Sequence, residues 1–219
     1  MIRICFRAAA LTLAAAALAC AAVSAHPGPH PADPAKAGTA AAAAPQRSIG
    51  VYRPGPVMLV RADGARVALD DELAYDGPVA LNFIFTSCSA VCPIATRTMA
   101  ELQGQMRPGE HLRLVSISLD PLNDTPAVLR DYARKAGAGP GWHFYTGSVA
   151  ASEAAQRAFD LYRGDKMNHA PVTLLRSALG RGWVRLEGFP TAAELAAELR
   201  DHPAAAQAAR VATRTAQIQ

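Results

Sequence analysis

The sequence has little cysteine, few aromatic residues and no cluster of basic residues. Four of its 219 residues are cysteine, and 6% are aromatic. The formal net charge is +4, and the first 25 residues supply two of those charges, which leaves +2 (4 − 2) for the rest of the chain. Its other arginines are scattered and are not interleaved with aromatic residues, so a nucleic-acid-binding surface is excluded. No internal repeat is visible, and the length suits one domain of ordinary size.

The first 25 residues have the pattern of an export signal. Two arginines precede an apolar stretch over residues 8–23, and Val23-Ser24-Ala25 is a small-residue cleavage site. The stretch is short and dominated by alanine for a membrane-spanning helix, but an uncleaved anchor stays open. Leu18-Ala19-Cys20 loosely resembles a lipoprotein cleavage box, which would make Cys20 an acylated residue. The sequence therefore predicts an exported, periplasmic protein, either free or held by its N-terminus.

Composition divides the remainder of the chain into three parts. Residues 26–49 are rich in proline, alanine and glycine, without periodicity, and predict a flexible tether. Residues 50–203 carry the strand and helix patterns of a folded domain, and residues 204–219 form an alanine-rich tail.

The central segment is an apolar run that leads into two cysteines. Leu81 to Phe85 is apolar at nearly every position, which is typical of a strand buried on both faces. Cys88 and Cys92 follow, and Pro93 fits the first turn of a helix because it has no N–H to donate. Both thiols should therefore lie at a strand-to-helix junction, where backbone amides and the helix dipole favour thiolate.

The remaining patterns predict strands that alternate with helices. Asp63-Gly64 lies in a hairpin turn, Thr125 and Ser148 are helix N-caps, and Thr191 with Glu194 forms a capping box. Further strands are expected at residues 57–60, 66–69, 112–119, 142–145, 172–176 and 183–186. This order predicts an α/β fold, a thioredoxin-like three-layer sandwich with an N-terminal β-hairpin extension and an inserted strand and helix.

The cysteine pair supports more than one chemistry. Cys5 and Cys20 belong to the leader, so the folded domain keeps Cys88 and Cys92. A disulfide between them would close a very short loop and add little stability, which weakens a purely structural interpretation. Two thiols this close can form a dithiol redox centre or hold a soft metal ion, and the three intervening residues tilt the balance slightly towards metal.

A metal site on two cysteines needs a third ligand. His169 is the preferred candidate, because in a thioredoxin-like fold the loop before the last sheet hairpin passes beside the cysteine helix. A Cys, Cys, His set suits Cu(I), tolerates Cu(II) and also binds zinc. Less favoured ligands are His111, His143, His202, Met58, Met99, Met106 and Met167, of which the first three methionines are expected to pack in the core.

Four segments together resemble the Sco/SenC family of copper-binding, thioredoxin-fold proteins. They are Phe85-Thr86-Ser87-Cys88-Ser89-Ala90-Val91-Cys92-Pro93, Ser116-Ile117-Ser118-Leu119-Asp120-Pro121-Leu122-Asn123-Asp124-Thr125-Pro126, Trp142-His143-Phe144-Tyr145-Thr146-Gly147 and His169. The resemblance implies copper held by Cys88, Cys92 and His169. It also implies a role in maturing the dinuclear copper centre of cytochrome c oxidase subunit II, by copper delivery or by reduction of that centre's thiols. Another copper enzyme is the alternative acceptor, and a thioredoxin-like reductant is a further expected partner.

The chain departs from the best-known pattern of that family at two places. The family has Pro-Asp-Val between the cysteines where this chain has Ser89-Ala90-Val91, so an acidic group is missing. The turn after the strand at residues 172–176 also lacks the usual Asp-Gly and contains Gly180-Arg181-Gly182.

The cysteine pair and the resemblance lead to two hypotheses for the function, and to a third, weaker one. The first is an exported copper metallochaperone that binds copper only through the reduced dithiol. The second is a thiol–disulfide reductase in which Cys88 attacks and Cys92 resolves the mixed disulfide. A peroxiredoxin-type peroxidase is the third, weaker interpretation.

Overall fold

The computed structural model describes residues 44–106, 111–178 and 181–201. Within these residues, segments rich in β-branched and aromatic residues form one mixed sheet. The strands are β1 (Gln46–Gly50), β2 (Met58–Arg61), β3 (Arg66–Ala68), β4 (Val79–Ile84), β5 (Arg113–Ser118), β6 (Trp142–Thr146), β7 (Val172–Arg176) and β8 (Trp183–Glu187). The helices are α1 (Leu69–Leu73), α2 (Val91–Gly104), α3 (Pro126–Lys135), α4 (Val149–Ala158) and α5 (Ala192–Asp201), with a 3-10 turn at Lys166–Asn168.

The direction of the strands brings three loops to one edge of the sheet. The strand order is β1-β8-β7-β4-β5-β6-β2-β3. Strands β4, β5 and β6 are parallel, whereas β7 is antiparallel to β4. The loops that follow β4 and β5 therefore lie at the same edge as the loop that precedes β7. This edge carries the cysteines and the predicted histidine.

Helices cover both faces of the sheet. On one face, α2 packs against α5, and Thr96 of α2 shares a 2.7 Å hydrogen bond with Tyr132 of α3. On the other face, Glu72 of α1 accepts a hydrogen bond from Tyr145, and Ser152 of α4 donates to the carbonyl of Ser118. The predicted α/β three-layer sandwich is confirmed. Its N-terminal hairpin is β2–β3, and the inserted strand and helix correspond to β6 and α3.

The helix starts lie where the local sequence places them. Thr125 accepts a hydrogen bond from the amide of Val128, with Pro126 as the first helical residue. Ser148 caps α4 in the same way. At α5, the Thr191 hydroxyl accepts from the Glu194 amide while the Glu194 carboxylate accepts from the Thr191 amide. These caps depend on neighbours three residues apart, so the sequence alone reveals them.

The structure corrects two boundaries. Strand β1 begins at Gln46 and pairs with β8, so residues 46–49 belong to the sheet and not to the predicted tether. The strand predicted over residues 66–69 ends at Ala68, and the unpredicted helix α1 follows it. The export signal, residues 26–43 of the tether and the tail at 204–219 lie outside the described residues and stay predictions. Among the described helices, none combines the length and apolarity that crossing a membrane requires.

Candidate metal and redox site

The two cysteines lie where the most buried strand meets the longest described helix. All six residues of β4 are buried, and the thiol loop (residues 85–90) leads from it to α2. Cys88 lies in this loop and is half-buried, whereas Cys92 is the second residue of α2 and is 2% exposed. Both are free thiols. The predicted strand-to-helix junction is therefore present, with one thiol accessible and one enclosed.

Backbone amides surround the sulfur of Cys88. The amide of Cys92 donates to this sulfur at 3.4 Å, because the first turn of α2 leaves its N–H groups without helical partners. Partial burial opposes ionisation of the Cys88 thiol, but the amides of residues 90–92 outweigh it and lower the pKa of Cys88 below its ordinary value. Cys88 is thus the thiol that ionises first.

Cys92 has the opposite environment. Burial is the main reason that the pKa of the Cys92 thiol rises to about 12, and the neighbouring Cys88 sulfur adds to this rise. The pair therefore consists of an accessible thiol that is prone to ionise and an enclosed thiol that stays protonated at neutral pH. This asymmetry suits a nucleophile with a resolving partner, and it equally suits a ligand pair that loses a proton when a metal ion binds.

Cys88 is expected to react with iodoacetamide more than about tenfold faster than Cys92 at pH 8, because thiolate and exposure both favour it. Its rate should rise with pH and level off at a lower pH than the rate of an ordinary cysteine does, since the pKa of Cys88 is lowered. Mass spectrometry of timed, quenched samples measures both rates. In denaturant the two rates should become equal, and a faster Cys92 in the native protein would contradict the assignment.

A buried carboxylate fixes the start of the thiol loop. Asp124 is fully buried in the anchor loop (residues 120–124), which connects β5 to α3. Its carboxylate accepts from the Thr86 hydroxyl at 2.5 Å, from the Thr86 amide at 3.2 Å and from the Ser118 hydroxyl at 2.6 Å. These bonds tie the residue that follows Phe85 to the neighbouring strand, so the backbone that carries Cys88 has a defined position.

His169 lies at the same edge of the sheet, in the histidine loop (residues 159–171) before β7. The side chain is half-buried, and its Nδ1 is a buried atom without a hydrogen-bond partner among the described residues. Burial lowers the pKa of His169 to about 4, so the imidazole is neutral at physiological pH. A neutral imidazole with an unused nitrogen is the form that coordinates a metal ion.

The structure pairs the two thiols but does not close a three-ligand site around them. Within the described ranges, no three His, Cys, Asp or Glu side chains are close enough together to hold a metal ion. The donors themselves fit a soft cation, because two free thiols and one imidazole nitrogen without a partner are available at one edge of the sheet. Assembly of the predicted set requires His169 and the two thiols to come closer together.

The less favoured ligands lie elsewhere or have other surroundings. His111 precedes β5 and His143 lies early in β6, and both line a cavity of about 350 Å³ at the amino ends of these strands. Met99 is fully buried in the core as expected, but Met58 is 51% exposed, so its predicted core position is wrong. Met167 is 71% exposed beside His169. His202 lies outside the described residues.

Sequence reasoning assigned no role to the two acidic residues of the anchor loop. Asp120 and Asp124 were recognised only as part of a family motif, although both are buried. A usable signal existed, because loops that follow adjacent parallel strands meet at one edge. An acid just after β5 should therefore face the loop after β4.

Comparisons with known proteins cover most of the folded part of the chain. The sequence profile described as SCO1/SenC matches residues 55–201. The "SCO1 protein homolog" of Bacillus subtilis is 34% identical over 99 residues, which cover 44% of this chain and 50% of that protein. The match thus spans about half the length of this curated relative.

Solved structures show the same fold. BsSco, described as a member of the Sco family of cytochrome c oxidase assembly proteins with a disulfide switch, superimposes with a TM-score of 0.59 at 25% identity, covering 70% of this chain and 95% of BsSco. Arabidopsis thaliana ScoI, solved with copper bound, has a TM-score of 0.55 at 25% identity, covering 66% of this chain and 94% of that one.

Proposed function

Because the chain belongs to the SCO1/SenC family, we propose that it is an exported copper metallochaperone that holds copper through Cys88, Cys92 and His169. One observation carries the proposal: two free thiols lie at the edge of the sheet that also presents His169 with an unpartnered Nδ1. The copper bound to Arabidopsis ScoI supports the choice of metal.

The ligands suit copper as a transferable cargo. Thiolates are soft donors that favour Cu(I), and the imidazole also tolerates Cu(II). An accessible Cys88 allows an acceptor's ligand to enter while the buried Cys92 still holds the ion. Oxidation of the pair to a disulfide removes both thiolates, so only the reduced protein should load copper.

The acceptor that we propose is the copper centre of cytochrome c oxidase subunit II or of another copper enzyme. The description of BsSco as an oxidase assembly protein supports the first of these. Ser89-Ala90-Val91 lacks an acid between the cysteines, so an acceptor contact made through such an acid would be missing here. We propose the periplasm as the location of this activity, because the predicted export signal favours it, with the protein either free or anchored through its N-terminus.

Anaerobic titration of the reduced protein with Cu(I) tests the proposal. We expect one tightly bound copper per chain, and His169→Ala should weaken the affinity by about 2 kcal/mol, roughly thirtyfold. His111→Ala is the matched control, because His111 is an exposed histidine at the opposite edge and should bind as wild type does. Binding that is indifferent to His169 would leave a two-thiol site and refute the three-ligand proposal.

The asymmetry of the thiols also favours a second function, reduction of a disulfide in the acceptor. The Cys88 thiolate would attack one sulfur, and Cys92 would then displace the acceptor from the mixed disulfide. Two electrons pass to the acceptor, which leaves as a dithiol, and a Cys88–Cys92 disulfide remains. His169→Ala should leave such exchange with a small disulfide largely unchanged, so the two functions separate in one variant.

A further inference from the structure

The anchor loop carries two buried carboxylates that face different halves of the proposed site. Asp124 accepts from Thr86 of the thiol loop, as described above. Asp120, four residues earlier and 6% exposed, accepts from Lys166 of the histidine loop. One short segment therefore contacts both the loop that bears Cys88 and the loop that bears His169.

The contact between Asp120 and Lys166 is an ion pair in a partly desolvated setting. The Lys166 ammonium lies 2.5 Å from a carboxylate oxygen of Asp120, and the lysine side chain is 32% exposed. Asn123 donates to both oxygens of the same carboxylate at 3.0 Å, which fixes its orientation. The ammonium also lies 5.4 Å from the ring centre of Phe85 in the thiol loop. Such a pair holds its geometry better than a freely hydrated surface pair does.

The ion pair lies beside an open space. A cavity of about 260 Å³ is lined by residues of the anchor loop, of α4 and of the histidine loop, including Asp120, Asp165 and Lys166. Phe159 and Leu161 at the start of the histidine loop are buried in the core, whereas residues 163–168 are mostly exposed. Lys166 gives this exposed part a direct polar contact with the anchor loop.

His169 lies between two fixed points of its loop. Its amide donates to the carbonyl of Lys166 at 3.2 Å, on the side where the lysine is paired. On the other side, the carbonyl of Pro171 accepts from the amide of Gly188 at 2.9 Å. A shift of His169 towards the thiols therefore involves the four residues 167–170 and leaves the rest of the loop in place.

We propose that Lys166 is a positioning residue for His169, and that its ion pair with Asp120 holds the imidazole-bearing loop at the edge of the sheet where the thiols lie. The inference rests on the proposed function, since it assigns the purpose of that position to copper binding. Without the pair, the exposed part of the histidine loop, residues 163–170, would have to be ordered when copper binds, and that ordering would weaken the affinity.

Lys166→Leu, which removes the charge without adding a sulfur ligand, should weaken Cu(I) binding about tenfold, close to one unit on a logarithmic affinity scale. Lys166→Arg, which keeps the charge and the donor, should restore most of it. In a His169→Ala background, Lys166→Leu should have no further effect, because a residue that acts through His169 cannot matter once the imidazole is gone. The reduction potential of the cysteine pair should stay at the wild-type value throughout.

Hydrogen exchange of the metal-free protein gives an independent readout. Amides of residues 166–170 should exchange faster in Lys166→Leu than in wild type, whereas the control Lys135→Leu, at the exposed end of α3, should change neither exchange there nor copper affinity. If Lys166→Leu leaves both unchanged while His169→Ala weakens binding, this inference is overturned and the proposed function stands. If His169→Ala does not change copper affinity, the three-ligand function is refuted. The assignment of Lys166 to copper binding is then refuted as well, even if the substitution at Lys166 speeds hydrogen exchange.

Discussion

Reduced protein carrying Cys88→Ser is expected to bind Cu(I) about a thousandfold more weakly than wild type, a difference of roughly 4 kcal/mol. A serine hydroxyl is a hard donor that stays protonated at neutral pH, so the variant offers one thiolate where the wild type offers two. Competition with a Cu(I) chelator under anaerobic conditions measures the affinity. Cys92→Ser should have an effect of the same order.

The matched control for this variant is Ser89→Ala. Ser89 is exposed and lies between the two cysteines, but its hydroxyl is not a proposed ligand. The Ser89→Ala variant should bind Cu(I) as wild type does. Retention of wild-type affinity by Cys88→Ser would place the copper site elsewhere.

Copper affinity of the wild-type protein should rise with pH. The pKa of the Cys92 thiol is about 12, so copper must displace the proton of this thiol when it binds.

Asp124→Ala is expected to lower the free energy of unfolding by about 3–5 kcal/mol. The substitution leaves the Thr86 amide, the Thr86 hydroxyl and the Ser118 hydroxyl without their acceptor in a buried site. Asp124→Asn should cost less, since one carbonyl oxygen remains, although its NH₂ group would face donors. Equilibrium unfolding in urea of the reduced, metal-free protein measures both variants.

Asp131→Ala serves as the control for that experiment. Asp131 lies on α3 with its side chain 59% exposed, where it pairs with Arg134. An exposed pair of this kind contributes little, so the loss should stay below about 1 kcal/mol. If Asp124→Ala were as mild as Asp131→Ala, the buried carboxylate would not be what holds the thiol loop to β5.

Much of the fold could be predicted because its signals are local. The apolar run of β4, the proline in the first turn of α2 and the caps at Thr125 and Ser148 depend on residues within one or two turns of each other. Strand β1 was missed for the opposite reason. It is short, its first four residues are exposed, and it is defined by pairing with β8 about 140 residues away rather than by its own pattern.

The features of the candidate site also separate into those with local sequence signals and those that depend on long-range contacts. The sequence by itself determined the α/β fold class, the strand-to-helix junction and the two thiols within it, because spacing, β propensity and proline geometry act over a few residues. Only the tertiary structure decided how deeply Cys92 is enclosed, and that Asp124 meets Thr86 across 38 residues and Lys166 meets Asp120 across 46. Those contacts depend on which strands lie side by side and on how deeply each side chain is buried, and neither is encoded within a short stretch of chain.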